Sequence, residues 1–119
     1  MRDFKGKVAV VTGGGGTGIG NSLVVELARA GAQVAFCDIA HLDKTERDIA
    51  GFDAPHFAAT VDMAERSQID AFIAEVIARF GHIDLLVNNA GIALGDRVFD
   101  ELGDADFDRI TDINYWGVV

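Results

Sequence analysis

Val8-Ala9-Val10-Val11-Thr12-Gly13-Gly14-Gly15-Gly16-Thr17-Gly18-Ile19-Gly20 is the stretch on which the fold turns. A valine-rich apolar run stops at a threonine and passes into a loop with almost no side chains. Directly after it, Leu23, Val24, Leu27 and Ala28 recur at helical spacing. Strand, glycine loop and helix in that order form the layout of a phosphate-binding turn. One glycine lets the chain turn off the strand, another lets backbone N–H groups approach a pyrophosphate, and a third lets the helix pack closely on the sheet. The helix N-terminus adds unpaired N–H groups and a partial positive charge. A glycine loop on its own equally suits a tight turn. The legible strand and helix on either side favour the phosphate reading.

Downstream, the first helix runs to about Ala30, where Gly31 offers a stop. Gln33-Val34-Ala35-Phe36-Cys37-Asp38 is a second apolar strand ending on a carboxylate. His41 to Gly51 is a weak, charged connection, helical or looped, and Pro55 to Val61 reads as a third strand. Asp62-Met63-Ala64-Glu65 has the form of a capping box, with Asp62 as N-cap and Glu65 reaching back. The helix it opens carries a stripe of Ile69, Phe72, Ile73, Val76, Ile77 and Phe80, and Gly81 ends it. Ile83 to Asn88 reads as a fourth strand, and a last helix begins near Ala105. Strands that are apolar on both faces and alternate with helices indicate an α/β fold, a parallel sheet covered on both sides. Right-handed crossovers place the strands in the order 3-2-1-4, half of a doubly wound, dinucleotide-binding sheet.

The 119 residues make one domain, 1–119, with half of the residues hydrophobic and a single proline, as in a globular chain. A net charge of −9 leaves no basic face to displace counterions from nucleic acid. Cys37 is the only cysteine, so no internal disulfide forms and a reducing compartment fits. The first seven residues are polar, without a signal-peptide apolar region, and no run approaches the ~18 apolar residues of a membrane span. A soluble, cytoplasmic protein is expected.

Asp38 lies eighteen residues after Gly20. At the end of the second strand a carboxylate accepts hydrogen bonds from both ribose hydroxyls of an adenosine, and its charge repels a 2′-phosphate. No Arg or Lys occurs in the glycine loop or just after Asp38, which favours NAD over NADP. A solvated strand-end aspartate is the plain alternative. Asp62 combines two expectations, a helix cap contributing ~1 kcal/mol and a place near the adenine. Asn88-Asn89-Ala90-Gly91 sits where ligands bind in open α/β sheets. Asn and Gly also suit a turn, but two asparagines directly after a buried strand favour a backbone-holding role. Asn114 shares a helix face with Phe107, Ile110 and Gly117, so it points inward and needs a partner, structural or catalytic. His41, His56 and His82 have no metal-ligand spacing, and no metal site is expected.

Together, Thr12-Gly13, Gly18-Ile19-Gly20, Asp38, Asp62, Asn88-Asn89-Ala90-Gly91 and the run from Phe107-Asp108-Arg109 to Asn114-Tyr115-Trp116-Gly117 resemble the short-chain dehydrogenase/reductase family over essentially the whole chain. The resemblance implies a Rossmann fold, an NAD cofactor, and hydride transfer to or from an alcohol or carbonyl substrate. It assigns Gly13, Gly18, Ile19 and Gly20 to the pyrophosphate, Asp38 to the adenosine ribose and Asp62 to the adenine. Asn89, Ala90 and Gly91 would lie along the cofactor. Asn114 matches the asparagine of the family's catalytic group, where it helps organise a proton relay.

Two departures stand out. The family pattern has three residues between Thr-Gly and Gly-Ile-Gly, whereas Gly14, Gly15, Gly16 and Thr17 make four. An added glycine carries backbone entropy into the site and is expected to affect where the N–H donors point. The family's chemistry also needs a Tyr-x-x-x-Lys pair and a serine. Here the only tyrosine is Tyr115, with Val119 four positions on, and neither Ser22 nor Ser67 is placed to serve. The sequence therefore reads as the N-terminal, cofactor-binding half of a dehydrogenase, truncated after about four strands and inactive alone. Its open fourth strand predicts self-association, a homo-oligomer, or marginal stability. A non-catalytic dinucleotide-binding or sensing module that acts through a partner is the alternative from another class.

Overall fold

The computed structural model describes residues 3–89. Seven elements follow one another: β1 (Val8–Thr12), α1 (Ile19–Arg29), β2 (Gln33–Asp38), α2 (Leu42–Ile49), β3 (His56–Thr60), α3 (Arg66–Phe80) and β4 (Leu85–Val87). The strands form one sheet in the order β3-β2-β1-β4, and every neighbouring pair is parallel. This is the 3-2-1-4 order expected from right-handed crossovers. The helix expected from Ala105 lies outside the described residues.

Side chains alternate across a strand, so a central strand serves two cores. Val8 and Val10 of β1, with Ala35 and Cys37 of β2, pack with Val61, Met63, Phe72 and Val76 on the α3 side. Ala9, Val11, Val34 and Phe36 pack with Val24, Leu27, Ala28 and Ile49 beneath α1 and α2. All five residues of β1 are buried. That explains why its sequence is apolar without alternation.

Local signals stop the helices. Gly31, at φ +97°, leaves α1 in the left-handed region. Its N–H donates to the Ala28 carbonyl, and the N–H of Ala32 donates to the Leu27 carbonyl, each at 3.0 Å. These paired bonds satisfy carbonyls that the helix end would orphan. Gly81 ends α3 in the same conformation, its N–H donating to Ile77 at 2.8 Å.

The start of α3 differs from expectation. The helix begins at Arg66, and its capping position is Glu65, not Asp62. Asp62 instead closes a turn, its Oδ1 accepting from the N–H of Ala64 at 3.0 Å. The side chain that reaches back to the N–H of Asp62 is Gln68, at 2.8 Å, rather than Glu65. An Asx turn competes with helix for the same donors, and here it delays the first helical turn.

The apolar stripe on α3 is real but unevenly used. Phe72 and Val76 are buried, Ile69, Ile73 and Phe80 pack at the margin, and Ile77 is 44% exposed. β4 is three residues long, against the six expected, and Leu85 and Leu86 on it are exposed. Among the described residues it is one edge of the sheet, with β3 the other. No helix among them is long and apolar enough to cross a membrane.

Candidate functional site

The loop between β1 and α1 lies at the carboxyl end of the sheet, and each flank of it is held by a neighbouring strand. Gly13 leaves β1 at φ +69°, a conformation that side chains with a Cβ rarely adopt. Further on, α1 closes tightly over the loop's start: a Cβ on Gly20 would lie 1.9 Å from the Gly13 carbonyl oxygen. Gly18 is the opposite case. Nothing lies within 4 Å of where its Cβ would be. The three glycines thus divide, one turning, one packing and one leaving open room.

The amides of the loop have definite partners. Gly13 and Gly14 both donate to the Cys37 carbonyl, at 2.8 and 3.1 Å, and Gly16 donates to the His41 carbonyl at 3.2 Å. Gly15 donates to Oδ2 of Asp38 at 3.0 Å, while Oδ1 of Asp38 accepts from the N–H of Ile39 at 2.7 Å. The lengthened loop is therefore stitched to the end of β2, and its N–H groups from Gly13 to Gly16 serve the protein itself. What remains for an anion is the start of α1. No side chain caps this helix, whose capping position is Gly18, so the orphan donors of its first turn adjoin the open room. The side chain of Ile19 beside it is 73% exposed. An uncapped helix start with space around Gly18 fits a pyrophosphate.

Asn89 fastens the other flank. Its N–H donates to Thr12 Oγ1 at 3.0 Å, and its Nδ2 donates to the Gly13 carbonyl at 3.2 Å. Thr12 Oγ1 in turn donates to the Val87 carbonyl at 3.4 Å. The backbone-holding role expected of the asparagines is visible in Asn89. Gly13, Gly18, Ile19, Gly20, Asp38 and Asn89 are thus brought together. Asp62 follows β3 at the same rim, one residue beyond Val61, whose N–H donates to the Asp38 carbonyl at 3.0 Å. Ala90, Gly91 and Asn114 lie outside the described residues.

Two polar residues that the sequence reading passed over are buried here. Thr45 of α2 donates through Oγ1 to the Gly14 carbonyl at 2.7 Å, and Asn21 donates through Nδ2 to Thr45 Oγ1 at 2.8 Å. Asn21 also donates to Oδ2 of Asp48 at 3.1 Å. The Lys44 ammonium and the Asn21 amide hold the Asp48 carboxyl below its ordinary range. The one available signal was Asn21 itself, a polar residue directly after Gly20 on a helix otherwise apolar on that face. Cys37 is chemically quiet: burial pushes its thiol up to about 12 against the partial relief of the Gly13 amide, and the charge of Asp38 adds to the rise.

The family model for short chain dehydrogenases matches residues 7–119. The chain belongs to the short-chain dehydrogenase family. Among relatives, SadH of Mycobacterium tuberculosis is 40% identical over 121 residues, which span all of this chain and 43% of SadH. Two solved neighbours carry different dinucleotides. The 3-ketoacyl-(acyl-carrier-protein) reductase of Brucella melitensis, complexed with NADH, is 33% identical with a TM-score of 0.87, covering 98% of this chain and 48% of that one. A blue fluorescent protein from a metagenomic library, in complex with NADPH, is 31% identical with a TM-score of 0.87, covering 98% and 48%. This short-chain dehydrogenase chain spans less than half the length of those proteins. Its parallel β3-β2-β1-β4 sheet is the Rossmann fold they share.

Proposed function

We infer that these residues form the cofactor-binding part of an NAD-dependent short-chain dehydrogenase acting on an alcohol or carbonyl substrate. The observation that carries the reading is the setting of Asp38. Its carboxylate stands at the carboxyl end of β2 beside the glycine loop, with one oxygen on the Gly15 amide and the other on the Ile39 amide. A carboxylate has about four acceptor positions, so two amide bonds leave capacity for the hydroxyls of a ribose. The residues that follow, Ile39, Ala40 and His41, bring no lysine or arginine to receive a 2′-phosphate. The two cations on α2 are engaged elsewhere, Lys44 with Asp48 and Arg47 with Asp43.

When bound, a nicotinamide dinucleotide supplies or accepts the hydride. The chain's own contribution is placement. Gly18, Ile19 and Gly20 present the start of α1 to the pyrophosphate, Asp38 orients the adenosine ribose, and Asp62 borders the adenine. Asn89 holds the loop to β4, with Ala90 and Gly91 proposed to continue along the cofactor and Asn114 to serve the proton relay. Within these 119 residues there is no Tyr-x-x-x-Lys pair. General acid–base transfer is worth typically ~10²–10⁴-fold, so these residues alone are proposed to bind without turning over.

Calorimetric titration of the chain with NADH and NADPH tests this. Saturable NADH binding, at least tenfold tighter than NADPH and weakened by Asp38→Ala, is expected. Equal affinity for the two dinucleotides, or an Asp38→Ala variant that binds NADH as well as wild type, would overturn the assignment.

A further inference from the structure

The Gly14 carbonyl and the Gly15 amide belong to one peptide unit, and both ends of it are held. Thr45 Oγ1 donates to the carbonyl at 2.7 Å, and Asp38 Oδ2 accepts from the amide at 3.0 Å. A peptide between two glycines has no Cβ on either side to resist rotation. It also falls within the stretch where this loop is one residue longer than the family pattern. A flip of that unit would turn a carbonyl oxygen toward the Asp38 carboxylate and replace attraction with repulsion.

Thr45 is suited to prevent it. Its side chain is fully buried, where an unpaired hydroxyl is costly. Its single hydroxyl proton goes to Gly14, and its lone pair receives Nδ2 of Asn21. The second proton of that amide goes to Asp48, which Lys44 also engages. Asn21 sits one residue past Gly20 in the first turn of α1. The chain of donors therefore has one direction, from Asn21 through Thr45 to the loop, and it joins α1, α2 and the loop at the site.

The geometry points to Thr45, backed by Asn21, as a positioning residue that sets the Gly14–Gly15 peptide and through it the Asp38 carboxylate for the dinucleotide. This rests on the cofactor reading above for its functional consequence, but not for the peptide itself. Thr45 touches no ligand in this scheme.

The test uses the full chain with Thr45→Val, which keeps the shape and removes the hydroxyl, and Thr45→Ser, which keeps the hydroxyl. Two readouts are taken: NADH affinity by titration, and amide hydrogen exchange at Gly15 by NMR. The expected result is about a tenfold loss of NADH affinity in Thr45→Val, the worth of roughly one net hydrogen bond, restored to within about twofold by Thr45→Ser. Gly15 exchange should rise about tenfold in Thr45→Val while Val10 and Val11 of β1 keep their wild-type protection. A merely structural role would raise exchange in β1 as well. NADH affinity and Gly15 exchange both unchanged in Thr45→Val would overturn the proposal. So would a wild-type Gly15 amide exchanging as fast as an unstructured peptide, which needs no variant to fold. If wild type binds no NADH, the cofactor reading fails, and Gly15 exchange alone decides the role of Thr45.

Discussion

Asp84 and Val8 grip each other at both ends. The N–H of Val8 donates to Oδ2 of Asp84 at 2.8 Å, and the N–H of Asp84 donates to the Val8 carbonyl at 2.9 Å. The pair locks the first residue of β1 to the approach of β4, just before the ladder Ala9 to Leu85 begins. His82 Nε2 lies 2.8 Å from the same carboxylate. A short edge strand with three paired residues thereby gains an anchor outside its own ladder.

The anchor makes the fold acid-sensitive. The Val8 amide first, and the neighbouring His82 charge with it, hold the Asp84 carboxyl below its ordinary value of 3.8. A carboxyl depressed in the folded state contributes stability above its unfolded pKa, and that contribution fades as pH falls through the folded one. Asp43 and Asp48 on α2 are depressed in the same direction, by Arg47 and by Lys44 respectively. The urea midpoint should therefore hold between pH 5 and pH 7, roughly, and drop below about pH 4. Asp84→Asn should start lower at neutral pH and lose less on acidification. Parallel pH profiles for the two proteins would show that the Val8 bond carries no charge-dependent stability.

Gly20 and Gly18 sit two residues apart and should respond to the same added methyl with costs of different size. At Gly20 the methyl would collide with the backbone oxygen of Gly13, which cannot swing aside. Gly20→Ala should cost on the order of 2–4 kcal/mol by overpacking. Gly18→Ala meets nothing and should cost within about 1 kcal/mol as a poorer helix cap, while filling the room left beside α1. Urea melts separate the stability effects and NADH titration the binding effects. Equal melting of the two variants would contradict the packing at Gly20.

Cys37 reports on integrity without taking part in chemistry. Its thiol is buried and raised to about 12, so almost none of it is thiolate at pH 8. The native chain should resist iodoacetamide at that pH for hours, and labelling followed by mass spectrometry should track unfolding as urea is added. Prompt labelling of a chain that still melts cooperatively would contradict the burial of β2.

Much of this was legible along the chain. The run from Val8 to Thr12 and the glycines after it mark β1 and its loop, because a strand covered on both faces must be apolar throughout. β2 was bounded at Gln33 and Asp38 by sequence alone, since Gly31 stops the helix before it. The stripe through Phe72 and Val76 announced α3 by its period. Boundaries shift where two local motifs compete: Asp62 reads as a helix cap, and its side chain serves a turn instead. β4 is shorter than its apolar run because Asp84 spends its groups on Val8 and Asn89 spends its own on Thr12 and Gly13.

Residue order was enough to specify a parallel sheet ordered 3-2-1-4, the glycine turn at its carboxyl edge and an acidic residue at the end of β2. Period, glycine placement and crossover handedness are local or topological, and they act whatever the remaining contacts are. The assignment of α2 needed three-dimensional contacts. From His41 to Gly51 the chain is charged and short of apolar residues, and a helix of eight residues is marginal in isolation. Thr45 becomes a core residue only because the Gly14 carbonyl, thirty-one positions earlier, is placed to accept its proton. A polar side chain has no inward preference of its own; it is buried where a distant partner repays its desolvation, and that partner exists only once α1, α2 and the loop have met.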